Sequence, residues 1–143
     1  MLTLTQDVLR AIQSHGEAAY PNEGAGLLLG TATAEGKQVV DILPLSNEWE
    51  AEEQYHRYMI TPQDMLRGEN EAARRGLDVV GIFHSHPDHP AEPSVMDRDW
   101  AVPYFSYIIT SIQKAQAVVS RSWLLREDRS AFDEETIQAA PRG

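Results

Sequence analysis

Cysteine is absent from the 143 residues. That removes thiolate metal ligands and a cysteine nucleophile, so any metal must be held by nitrogen and oxygen. Basic side chains are scarce, 12 against 22 acidic ones, and the formal net charge is -10. A field of that sign repels phosphate backbones, which argues against a nucleic-acid partner. No apolar run is long enough to span a bilayer, and the start, Met1-Leu2-Thr3-Leu4-Thr5-Gln6-Asp7, lacks the basic and apolar regions of a signal peptide. The expectation is a cytoplasmic protein without a membrane partner. Internal repeats and low-complexity tracts are also missing.

What the chain does have is 42% hydrophobic residues in periodic segments, enough for one folded domain. Thr5 reads as an N-cap for a helix carrying Val8, Leu9, Ile12 and Ala19, broken at Pro21. Asn22 to Gly30 is a glycine-bracketed apolar strand with Glu23 near its start, and a turn around Gly36 joins it to a second strand at Gln38 to Leu45. Residues 47–58 are polar and acidic and read as a surface excursion, first of all a solvated loop; His56 beside Tyr55 and Tyr58 is a candidate for a substrate-facing surface, Trp49 and Trp100 are expected to pack, and whether the segment gates a groove stays open. Thr61-Pro62-Gln63-Asp64 is a helix start, and the helix stops at Gly76. The apolar run Val79-Val80-Gly81-Ile82-Phe83 follows as a buried strand. A short helix from Ser94 to near Pro103 and strands at Tyr104 to Thr110 and Ala117 to Leu125 complete a domain over 1–125. The charged remainder, 126–143, is expected to add a last strand or helical turn, or to fray.

His84 and His86 end the central apolar run. Side chains two apart on a strand share a face, with Cα atoms about 6.5–7 Å apart, so both imidazoles can converge on one ion. A catalytic zinc needs a third protein ligand and an open position. Pro87, Pro90 and Pro93 stiffen a loop that can return Asp97 to the histidines. Ser94 and Asp97 alone also read as a capping box; beside the two histidines, Asp97 reads as the third ligand.

His84-x-His86, seven residues, then Ser94-x-x-Asp97, with Glu23 in Pro21-Asn22-Glu23-Gly24-Ala25-Gly26 upstream, resembles the JAMM (MPN-plus) metallopeptidases, in their compact prokaryotic branch. Many members carry a cysteine just after the glutamate, where this chain has Gly24 and Ala25. The resemblance implies an α/β single-domain JAMM/MPN fold, a mixed, curved β-sheet flanked by helices with a cytidine-deaminase-like architecture. It also implies one Zn²⁺ per chain held by His84, His86 and Asp97, with Glu23 as general base toward a metal-activated water and Ser94 as hydrogen-bond donor to the oxyanion. The implied activity is cleavage of a peptide or isopeptide bond after the C-terminal tail of a ubiquitin-like or sulfur-carrier protein of β-grasp fold. A homodimer stays open.

Several rivals exist. His84-Ser85-His86-Pro87-Asp88-His89 also fits the two-metal H-x-H-x-D-H signature of metallo-β-lactamase-like hydrolases, but no histidine follows His89. Zinc cytidine deaminases need cysteines. A deubiquitinase-like isopeptidase and a non-catalytic scaffold of the same fold remain as alternatives. Asp88, His89 and Glu92 are expected at the rim or in solvent, and His15 has no evident role.

Overall fold

The computed structural model describes residues 1–45 and 60–140; the 47–58 segment, read from the sequence as a surface excursion, lies outside the described residues. The elements run β1 (Leu2–Thr5), α1 (Gln6–Ala19), β2 (Ala25–Thr33), β3 (Gly36–Leu45), α2 (Pro62–Arg74), β4 (Asp78–Pro87), α3 (Val95–Trp100), β5 (Ser106–Gln113), β6 (Gln116–Leu125), β7 (Phe132–Glu135) and β8 (Ile137–Ala140). The strands form one mixed sheet in the order β7-β6-β5-β4-β2-β3-β1-β8. β4 pairs antiparallel with β2 and parallel with β5. No helix among the described residues is long and apolar enough to cross a membrane.

Helix starts follow the sequence signals. The Thr5 hydroxyl accepts the Val8 N–H and caps α1. Thr61 and Asp64 form a reciprocal capping box at the start of α2, with Pro62 at the first position, where its missing N–H is no loss. Both helices are amphipathic and lie on opposite faces of the sheet, which is why β2 reads as a continuous apolar run rather than an alternating one. Leu28 joins a core with Ile12 of α1, Leu2, Leu4, Val39, Phe83 and Ile108. Leu27 and Leu29 point the other way, to Ala72 of α2, Ile82 and Tyr107.

A register shift where β4 meets Leu28 and Leu29 of β2 leaves Val80 as an extra residue on β4. The bulge resets the alternation, so Val80 and Phe83 share the α1 face while Ile82 turns to the other. His84 and His86 keep the parity of Ile82, and Ser85 keeps that of Phe83. On the α1 side the helix comes close enough at Gly16 that a Cβ there would stand 3.0 Å from the Ser85 Cβ.

The segment after Leu125, read from the sequence as a charged appendage, supplies β7 and β8. They lie at opposite margins of the sheet with only Thr136 between them. Strands sit about 4.8 Å apart, so eight of them laid flat would hold the margins roughly 34 Å apart. Two residues span at most about 7 Å. The sheet therefore curls until its margins are joined by a single run of chain. The charges of this run are spent across strands, Arg126 on Asp133 at 2.9 Å and Arg121 on Glu134 at 2.7 Å. Glu135 points inward and accepts the hydroxyls of Ser106 (2.7 Å) and Ser122 (2.9 Å).

Candidate metal centre

Three elements deliver the polar side chains. β4 brings His84 and His86 to one face near its end. α3 brings Asp97 in its first turn, and the short link from α1 to β2 brings Glu23. All four are buried, with relative exposures of 1%, 8%, 7% and 4% in that order. Buried charge of this density requires mutual compensation or a cation.

The geometry is tight. His84 Nε2 and His86 Nε2 stand 3.1 Å apart; His84 Nε2 is 3.1 Å from Asp97 Oδ1, and His86 Nε2 is 3.2 Å from Asp97 Oδ2. Ligands at zinc's usual 2.0–2.1 Å in tetrahedral array lie about 3.3 Å from one another. The three side chains therefore already stand as ligands around one ion would, and the donor set, two imidazoles and a carboxylate, suits zinc. Glu23, His84 and His86 each place one ligand-type atom within 4.8 Å of the others.

Asp97 serves two purposes at once. Its Oδ2 accepts the Ser94 N–H at 2.7 Å, and Ser94 Oγ accepts the Asp97 N–H at 3.1 Å, so the capping box and the ligand position are the same carboxylate. Burial works to raise its pKa, but His84 and His86 outweigh it and hold the acid far below the usual carboxylate range. The histidines diverge. Burial dominates at His84 and lowers its pKa, with Asp97 opposing; at His86 burial also pulls down, but Asp97, the Pro90 carbonyl and Glu23 carry the net shift upward. Glu23 is pushed up to about 8, chiefly by burial and further by Asp97, with His86 opposing.

Beside these groups lies a cavity of about 360 Å³ lined by Glu23, His86, Pro87, His89, Pro90, Glu92, Pro93 and Ser94. His89 and Glu92 are exposed and sit on this rim, and Ser94 stands at the mouth. Asp88 is exposed and held by the Tyr20 hydroxyl at 2.6 Å. Of the residues singled out from sequence, Glu23, His84, His86, Ser94 and Asp97 come together.

The family model for prokaryotic homologs of the JAB domain matches residues 5–126. The chain belongs to this family. It is 30% identical over 107 residues to a probable TtuB-protein conjugate cleaving protease of Thermus thermophilus, covering 73% of this chain and 68% of that one. It is 32% identical over 115 residues to a desampylase of Haloferax volcanii, covering 77% of this chain and 80% of that one. The crystal structure of a JAB1/MPN domain protein from Archaeoglobus fulgidus superposes with a TM-score of 0.60 at 16% identity, over 100% of this chain and 98% of that one. At that identity the likeness speaks for the fold, and it identifies the curled mixed sheet as a JAB1/MPN fold.

Other residues of this JAB domain serve the site without standing out in the sequence. Ser85 Oγ accepts the Gly24 N–H at 2.8 Å. His15 packs edge-on to Phe83 at 5.7 Å and hydrogen-bonds the Ala25 backbone, at the start of β2 just after the link that carries Glu23. Arg129 donates to the carbonyls of Ala101 (2.8 Å), Arg98 (2.8 Å) and Asp99 (3.2 Å), which ties off the end of α3. In each case a hydrogen bond runs to backbone atoms, which leave no mark in residue identity.

Proposed function

We propose that this chain is a zinc-dependent peptidase or isopeptidase that cleaves the amide bond following the C-terminal tail of a ubiquitin-like or sulfur-carrier protein of β-grasp fold, acting in the cytoplasm. The convergence of both Nε2 atoms and the Asp97 carboxylate within 3.1–3.2 Å carries the reading. The names of the Thermus and Haloferax relatives, a conjugate-cleaving protease and a desampylase, support the substrate class.

His84, His86 and Asp97 would hold one Zn²⁺, which supplies positive charge to polarise the scissile carbonyl, acidify the attacking water and draw off the Glu23 proton. Glu23 then acts as general base: its carboxylate takes a proton from the water and returns it to the leaving amine nitrogen. Burial raises the basicity of this carboxylate well above that of a surface glutamate, which suits it to that transfer. Ser94 Oγ accepts one hydrogen bond from Asp97 N and keeps its own O–H to donate to the developing oxyanion, a contribution of about 3 kcal/mol for a well-aimed donor. The cavity beside Glu23 and Ser94, about 360 Å³, is far too small for a folded domain, which leaves a chain terminus as the part that enters it.

The test is metal analysis of the purified protein together with cleavage of a β-grasp carrier extended past its Gly-Gly terminus, with and without chelator. One zinc per chain and chelator-sensitive cleavage are expected. Zinc-loaded protein that leaves carriers intact but cleaves ubiquitin conjugates moves the substrate to ubiquitin, and protein that binds no metal leaves a scaffold role.

A further inference from the structure

A histidine that ligates through Nε2 must present that nitrogen bare. His86 Nδ1 lies 2.9 Å from the Pro90 carbonyl. A carbonyl can only accept, so Nδ1 carries the proton; in the neutral ring, Nε2 is left with its lone pair toward Asp97 and His84. The orientation of one backbone carbonyl therefore governs a ligand. Pro90 is exposed and belongs to no regular element, and its nitrogen has no hydrogen with which to anchor it.

Its neighbours are anchored instead. Ser111 Oγ, on β5, donates to the His89 carbonyl at 2.6 Å. Trp123 Nε1, on β6, donates to the Ala91 carbonyl at 3.0 Å. Three successive carbonyls, those of residues 89, 90 and 91, are each taken by a side chain from a different strand. Ala91 is only 2% exposed while the residues on either side face solvent, so the loop dips onto the indole at that point. The indole itself is confined by the Arg121 guanidinium, 4.7 Å above its ring, and Arg121 pairs with Glu92 of the same loop at 3.3 Å. Upstream, Asp88 accepts the Tyr20 hydroxyl and the Lys114 N–H at 2.6 and 3.2 Å.

We propose that Trp123 and Ser111 are positioning residues for His86: by fixing the carbonyls of Ala91 and His89 they aim the Pro90 carbonyl at Nδ1 and hold Nε2 turned into the site. The inference rests on the zinc reading above. Trp123 acts through the loop and touches neither metal nor substrate. Its ring fills space as any aromatic would, but its N–H has this further use, and a ring without the N–H separates the two.

The experiment measures the zinc affinity of the full chain by competition with a chromogenic chelator, for wild type, Trp123→Phe, Ser111→Ala and the double variant, with melting curves of the metal-free proteins alongside. Loss of an outer partner of a metal ligand lowers affinity about 10–100-fold, and each single variant is expected in that range. Because both act on one carbonyl, the double variant should lose less than the product of the two. Single variants that bind zinc within about twofold of wild type, whatever their melting temperatures, overturn the inference alone. Wild type that binds no zinc overturns the metal reading and this inference with it. Ser111→Ala removes one hydroxyl only and keeps the test decisive if the phenylalanine variant fails to fold.

Discussion

Ser85 and Gly24 are joined twice: the Ser85 hydroxyl accepts the Gly24 N–H at 2.8 Å, and the Ser85 N–H donates to the Gly24 carbonyl at 3.0 Å. Ser85 stands between the two histidines and Gly24 directly follows Glu23, so this pair sets the distance between the ligands and the base. Ser85→Ala leaves the buried Gly24 N–H without its acceptor, at a cost of about 1–3 kcal/mol. The expected result is a lower denaturation midpoint and a reduced kcat at unchanged zinc content. A kcat equal to wild type in fully zinc-loaded variant would remove Ser85 from the positioning of Glu23.

Glu23→Gln preserves size and burial while abolishing proton acceptance. Zinc content should stay at the wild-type level while turnover falls about 10²–10⁴-fold, the usual weight of a general base. Metal analysis and single-turnover cleavage measured on the same preparation check it, and wild-type turnover in this variant refutes the assignment.

The same residue makes a prediction about pH in metal-free protein. The Glu23 acid is raised by burial to about 8 in the fold from an ordinary value of 4.5, so the folded state holds this proton more tightly than the unfolded chain. Its stabilising effect is full below about pH 4.5 and is lost as pH climbs toward 8, each unit of displacement being worth about 1.4 kcal/mol. Chelator-treated wild type should therefore lose stability relative to Glu23→Gln between pH 5 and 8. Parallel curves for the two proteins would contradict the buried, protonated state.

Arg129 sits at a φ of 61°, a left-handed conformation that glycine adopts without strain, while its guanidinium caps the carbonyls at the end of α3. Arg129→Gly keeps the turn and removes only the cap. The expected cost is about 1 kcal/mol, with faster amide exchange in α3 and weaker zinc binding, since α3 carries Asp97. Unchanged exchange in α3 would mean that the helix needs no such cap.

The cluster of side chains was legible because most of its members are local: two histidines two apart on one strand, and a serine and an aspartate three apart at a helix start. Only Glu23 stood remote, and the family resemblance supplied it. Asp97 posed a choice between cap and ligand, and its carboxylate closes the capping box while facing both histidines. The supports were not legible. Trp123 and Ser111 reach carbonyls 32 and 22 residues away, and a carbonyl is present at every position. β1 and β8 are four-residue strands too short to show a period, and β7 hides among exposed charges that pair across strands.

The joined margins of the sheet bear on how motion reaches the site. Leu2 pairs with Ile137, so the seam next to the joined margins, β1 against β8, is zipped between segments far apart in sequence, where chain closure is entropically costly. β4 lies well inside, flanked by β5 and β2, with two strands between it and the β7 margin and three between it and the β8 margin. Opening at the seam can thus exchange amides and relieve strain while His84 and His86 stay registered against Ala25 and Ser111. The fold places this long-range seam away from the strand that carries the chemistry.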